Sequence, residues 1–273
     1  HIFVAIRRPD PLVGKPAEAG TDVYNAVYGN SSSTIPNFPS NFPVDMGIYK
    51  QPLTSYSWYT HTRLTGLRSV RTDTSNAQST SDADATFDGN AGWGKFGYNT
   101  DKASWMWKRH AGFDVVAFEG TNSAGLQIHH NLSKVPEMIW TKNRDASENW
   151  AVYHKDLNGG TNPEQYAIRL NSNGGELDAD SFWNDTAPTA TYFTVGNNGE
   201  TNGFEQSMLA MLFASVDGIS KVGNYTGNGS ASGPIVTLGF APRLIIIKCT
   251  TGGTNWFVYD TLRGLTSGND ARI

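Results

Sequence analysis

Apolar and polar positions alternate along most of this chain, and the alternation is interrupted every few residues by Gly, Asn, Ser, Asp or Pro. Short runs of period two predict β-strands, because successive side chains of a strand point to opposite faces. Hardly any stretch sustains the 3.6-residue period of a helix. The run "EQSMLAMLFASV" comes nearest, yet it stands where the Trp-rich "SWMWKR" stands further upstream, and both are read as strands. The expectation is an all-β chain of sandwich architecture.

One pattern recurs. Placing Pro136 on Pro242 matches Ile139 to Ile245, Lys142 to Lys248, Asn149 to Asn255, Trp150 to Trp256, Val152 to Val258 and Tyr153 to Tyr259 without a gap. A weaker copy, "FPVDMGIYKQPLTSYSWYTHTRLTGL", places Lys50 and Trp58 at the eight-residue spacing of Lys142/Trp150 and Lys248/Trp256. Each copy reads as a β-hairpin: alternating apolar residues up to the Lys, a polar turn, and a return strand opened by the Trp. The Trp is expected to pin the core of its copy. Burying an indole of about 150–250 Å² at ~25 cal/mol/Å² gives roughly 4–6 kcal/mol as an upper value. A sugar-stacking platform is the alternative reading.

Other segments recur in the same order. "GFDVVAFEGTNSAG" and "GISKVGNYTGNGSASG" each predict an apolar strand followed by a Gly-rich turn. "FVAIRRPD" at the front reads as the closing strand of an earlier copy, and the final "ARI" aligns with the strand opened by "VRTDT" and "IRLNS". The organisation expected is a closing strand over residues 1–8, a Pro/Ser/Asn-rich linker or arm over 9–41, repeats over 42–111 and 112–217, and a truncated repeat over 218–273. A period near 100 residues suits tandem domains rather than a solenoid. Both ends read as cuts through a longer polypeptide.

"FVAIRRP", "SWMWKRHAGFDVVAFEGT", "HHNLSKVPEMIWTKNRDASENWAVYHKDL" and "GFAPRLIIIKCTTGGTNWFVYDTLRG" resemble an uncharacterised repeat family of structural and tail proteins of bacteriophages, especially marine ones. The resemblance covers residues from about 42 onward and the first eight. It implies concanavalin-A/laminin-G-like jelly-roll modules of about 100 residues. It also implies a virion component, such as a tail fibre, with no catalytic or metal residues to carry over. The first copy departs from the pattern: "KQPLTSYSW" contains a proline and lacks the Asn before the Trp, so a distorted hairpin is expected there.

Composition narrows the function. Charged residues make up 17% of the chain, the net charge is −4, and no Lys/Arg-rich run occurs, which argues against a nucleic-acid partner. The longest apolar runs fall well short of the ~20 residues that span a bilayer, so no membrane insertion is expected. The lone Cys249, in "LIIIKCT", is read as a small buried hydrophobe.

The sharpest enzymatic candidate is "ELDAD", where Glu176, Asp178 and Asp180 would share one strand face as glycosidase carboxylates do. A solvated turn is the favoured reading there, with a calcium site between the two. His129 and His130 are adjacent, face opposite ways on a strand, and do not serve one metal. No cofactor is expected. Trp93, Tyr56 and Tyr59 are the candidate glycan contacts. The function expected is a non-enzymatic phage structural protein, part of a tail fibre or similar appendage, homo-oligomeric and in contact with other virion proteins and host surface glycans. A capsid decoration protein and a jelly-roll carbohydrate-active enzyme are the alternatives.

Overall fold

The computed structural model describes residues 19–31, 36–80, 85–94 and 100–265. The strand expected over residues 1–8 and the terminal "ARI" lie outside them. In chain order the first strands are β1 (Tyr24–Tyr28), β2 (Phe38–Pro39), β3 (Met46–Lys50), β4 (Tyr59–Thr62), β5 (Val70–Arg71), β6 (Gly92–Trp93) and β7 (Ala103–Trp107). A second group comprises β8 (Phe113–Glu119), β9 (Leu126–His129), β10 (Met138–Asn143), β11 (Ala151–His154), β12 (Tyr166–Arg169), β13 (Leu177–Asp178), β14 (Tyr192–Val195) and β15 (Ser207–Phe213). Two single-turn helices, α1 (Asp180–Trp183) and α2 (Gly199–Asn202), interrupt this group, and β16 (Leu244–Ile247) with β17 (Phe257–Asp260) form a last hairpin.

The two large sheets share one strand order, β1-β7-β3-β4-β5 and β8-β15-β10-β11-β12, the second extended by β13. All their pairings are antiparallel. Register is shared as well: Ile48 sits between Thr60 and Trp105, and Trp140 between Val152 and Met211. In the last hairpin Ile246 faces Val258, the same relation on one side.

Each large sheet is covered on its outer side by a small one. The β2–β6 pair closes over a cluster containing Phe38, Tyr49, Phe87, Trp93 and Met106. The β9–β14 pair, with Phe182 and Trp183 of α1, closes over Ile139, Tyr153, Ala210 and Leu212. These layers give the all-β sandwich character expected from the alternation. The inner faces, however, do not form separate cores. Met46, Ile48 and Trp105 of the first sheet meet Trp140, Val152 and Met211 of the second in one cluster, against which Leu244, Ile246 and Trp256 also pack. Strands such as β15 are therefore buried on both faces, with Met211 inward and Leu212 outward, and read as nearly continuous apolar runs.

Three expectations need correction. The segment 9–41 is not only an arm: Tyr24–Tyr28 within it is β1, paired along its length with β7. Its alternation was masked by the surrounding Pro and Ser residues. "GISKVGNYTG" forms no strand and makes only the isolated bridge Val216↔Ser220. Its counterpart β8 is held by β15, and no strand among the described residues plays that part here. The first hairpin is regular despite its proline, with a four-pair ladder like those of the other two.

Candidate functional site

The repeated Lys and Trp meet at the seams between sheets. Trp150 Nε1 donates to the carbonyl of Arg71 at 2.7 Å, and Lys142 Nζ donates to the carbonyls of Ser75 at 2.9 Å and Glu148 at 2.6 Å. Beside them the Gln78 N–H donates to the Arg144 carbonyl at 2.7 Å. The second seam repeats the arrangement one sheet further on. Trp256 Nε1 donates to Arg169 O at 3.0 Å, Lys248 Nζ to Asn173 O at 3.4 Å and Thr254 O at 2.8 Å, and the Glu176 N–H to Thr250 O at 2.7 Å. Thus Lys142 and Lys248 each hold the carbonyl six residues ahead in their own turn and another in the loop that follows β5 or β12 of the preceding sheet. Lys50 makes the first kind of bond, to Tyr56 O, and a second to Thr54 O at 3.2 Å.

Burial pushes the ammonium pKa of all three lysines down, Lys142 to about 8 against the pull of Glu148 and Glu200. The carbonyls recover part of that desolvation cost through charge-assisted hydrogen bonds. Trp150 is fully buried, while Trp58 and Trp256 are half-buried and pack on the same central cluster.

The last hairpin also touches the first sheet. Arg243, just before β16, donates to Asn25 Oδ1 at 3.1 Å and Tyr24 O at 3.5 Å. Trp105 Nε1 donates to Asp260 Oδ2 at 3.0 Å, and Arg263, bound to the same carboxylate at 2.5 Å, lies 4.9 Å over the Trp105 ring. The Asp260 charge is thus buried with its partners in place, the condition under which a buried ion pair is tolerated. Between the hairpin and the sheets lies a cleft of about 350 Å³ walled by Trp58, Trp105, Trp140, Leu244, Ile246 and Trp256, with Asp73, Asn171 and Asn255 among its polar lining. Trp140 Nε1, on this wall, has no acceptor among the described residues.

The aromatics expected to meet sugars are placed differently. Trp93 has no exposed surface; its indole stacks on Phe87 at 5.2 Å and Phe38 at 5.8 Å, and Nε1 donates to Ser104 Oγ at 3.0 Å. It cannot be a sugar platform, because its Gly-flanked strand β6 closes the outer layer instead of forming a loop. Tyr56 and Tyr59 are half-buried, 5.2 Å apart, and packed with Tyr49. Glu176, Asp178 and Asp180 do not share a strand face: Asp178 ends β13, Asp180 opens α1, and Glu176 Oε2 accepts from the Asn158 N–H at 2.8 Å. His129 is exposed and His130 buried, the latter 3.2 Å from Thr189 O. Cys249 is exposed rather than buried, because β16 ends at Ile247 and the chain turns outward. Hydrogen bonds from Thr251 hold its thiol below the ordinary range.

Among the described residues no group of three or more His, Cys, Asp or Glu side chains is placed to hold a metal ion. No described helix is long and apolar enough to cross a membrane. Sequence reasoning missed Arg71 and Arg169, which act through their main-chain carbonyls and so leave no side-chain signature beyond recurring in "VRTD" and "IRLN". Asp260 was also missed, since the matching position in the second copy is His154.

The fold and its seams define an all-β protein whose sheets dock through a repeated Lys–Trp contact. The chain belongs to a family described as a domain of unknown function (DUF7483), which matches residues 94–272, from the region before β7 to beyond β17. No curated protein and no solved structure matches it.

Proposed function

We propose that the protein is a non-enzymatic structural component of a bacteriophage particle, part of a tail fibre or similar appendage, assembled with other virion proteins and as a homo-oligomer. The observation that carries this reading is the seam: one set of three hydrogen bonds, Trp to Arg carbonyl, Lys to carbonyl and backbone to backbone, occurs twice between successive sheets. The recurring Lys and Trp are occupied by contacts that hold one sheet to the next, the work of a structural module. The sequence resemblance to phage structural repeats supports the same reading. Contact with host surface glycans is part of the proposal, and of the three aromatics expected there only Tyr56 and Tyr59 retain partial exposure.

Immunogold electron microscopy of intact particles, with an antibody raised against residues 112–217, tests this directly. Label on the tail or its fibres is the expected result. Label spread over the head would replace the fibre with a decoration protein, and particles without label would remove the virion reading.

A further inference from the structure

We propose that the open edge of β16 is the docking edge for residues Ile2–Arg7 of this same chain, which add there as a strand and complete a third sheet. The edge itself is the first observation. β3 and β10, the counterparts of β16, are each paired on both sides, by β4 and β7 and by β11 and β15. β16 is paired by β17 alone among the described residues. The outward positions of the hairpin, Ile245 and Tyr259, are only half-buried, whereas Ile139 and Tyr153 at the same places are buried. An uncovered apolar edge is a ready template for another strand.

The sequence supplies a matching strand. Setting Arg7 and Arg8 on Lys108 and Arg109 places Ile2, Val4 and Ile6 at the positions of Ala103, Trp105 and Trp107 in β7 and of Leu209, Met211 and Phe213 in β15. Those residues pack in or against the central cluster. Carried to β16, the shared register sets Val4 opposite Ile246 and Ile6 opposite Leu244, with alternate residues Phe3 and Ala5 on the outer face. The cleft beside Leu244 and Ile246, and the acceptor missing at Trp140 Nε1, lie on the inner side of this edge.

Topology selects the occupant. β7 belongs to the first sheet, and the chain passes from it directly to β8, which opens the second sheet. That junction is tied by Arg109, which reaches Asp45 before β3 at 3.6 Å and Asp114 of β8 at 3.8 Å. At β1 the same positions meet again: Arg243 before β16 binds Asn25, the counterpart of Asp114. The strand preceding β1 in sequence therefore belongs in the sheet that contains β16. The roughly 18 residues between Ile6 and Tyr24 span up to ~60 Å when extended, so the chain reaches its own edge. The same strand would pair with "ISKVGNY", which, unlike its counterpart β8, belongs to no ladder among the described residues and makes only the isolated bridge Val216↔Ser220. None of this depends on the virion reading.

Disulfide trapping in the full chain tests the proposal. In a Cys249→Ser background, Ala5→Cys with Ile245→Cys occupies the ladder position that Leu212 and Ile139 occupy in the second sheet, and Leu212→Cys with Ile139→Cys serves as the control. An intrachain disulfide in the monomer is the expected result. A disulfide-linked dimer would overturn the proposal in favour of a second copy, and reduced cysteines alongside an oxidised control would overturn it outright. Hydrogen exchange of the unmodified chain gives a second reading free of mutations. Amides of Leu244–Ile247 are expected to exchange ~10-fold or more faster once residues 1–8 are removed. Unchanged exchange there would also overturn the proposal.

Discussion

The indole of Trp150 donates its N–H to the carbonyl of Arg71, a residue 79 positions earlier in the chain and in another sheet. A core side chain is thereby also the tie between two sheets. Trp150→Ala is expected to destabilise by about 3–5 kcal/mol through the cavity it leaves. Trp150→Phe is expected to lose less, the hydrogen bond plus the volume difference. Chemical denaturation measures both, and a Trp150→Ala loss within ~0.5 kcal/mol would show that the residue is not a core pin.

Lys142 has no exposed surface and saturates two carbonyls, Glu148 in its own turn and Ser75 in the loop after β5. Lys142→Met relieves the desolvation of the ammonium but orphans the Ser75 and Glu148 carbonyls, each orphaned group costing about 1–3 kcal/mol. Net destabilisation is expected in equilibrium urea unfolding at neutral pH. A more stable variant would mean that the desolvation cost of the ammonium exceeds what its hydrogen bonds return.

Burial, with Lys108 and Lys134 nearby, pushes the His110 imidazole pKa down to about 4, and its Nδ1 accepts from the Gly112 N–H at 3.1 Å. Unfolded, the same group titrates near an ordinary value of about 6.5. Between these values the unfolded chain binds more protons than the native one, so stability falls as pH drops from about 6.5 toward about 4. His130 and His154, also held down by burial, act in the same sense, while Asp114, raised by burial, opposes them at the low end. Urea midpoints measured across this window should decline, and His110→Gln should flatten part of the slope. An unaltered slope in that variant would show that His110 titrates normally.

Gly47 on β3 lies under the indole of Trp93, and a Cβ added there would overlap the ring. Gly47→Ala is therefore expected to destabilise by about 1–3 kcal/mol or more, as overpacking does. Combined with Trp93→Phe the loss should be less than additive, because the smaller ring leaves room. Thermal melts of the two single variants and the double variant check the coupling, and strict additivity would remove the contact.

Cys249 is exposed, with its thiol held below the ordinary range by Thr251. It should react with a thiol reagent to one equivalent in the native protein at neutral pH, and Thr251→Ala should slow the reaction. Labelling that requires denaturant would return the residue to the buried position expected from the apolar run before it.

The strands were legible where alternation and turn residues agree. The hairpins of Lys50, Lys142 and Lys248 and the strand reading of "SWMWKR" and "SMLAMLF" came from period two and from recurrence, both local properties. β1 was not, because five residues of alternation inside a Pro- and Ser-rich stretch become a strand only through pairing with β7, a partner distant in sequence. "GISKVGNYTG" failed for the converse reason: its pattern suits a strand, but among the described residues it makes one isolated bridge and joins no ladder.

The site was harder to read than the fold. Trp93 looked like an exposed loop aromatic among glycines, and only the folding of β2 and β6 over Phe87 and Met106 buries it. The Lys–Trp spacing was visible at once, but its partners were not, since they are main-chain carbonyls that every residue possesses. The sequence by itself determined the all-β class, the repeated hairpin and the choice of Lys and Trp, because these follow from alternation and spacing along the chain. Only the tertiary structure decided that the inner faces share one core and that Trp150 and Trp256 each reach into the sheet before their own. Those relations join residues some 80 positions apart, and no local pattern records which distant carbonyl a buried N–H will find.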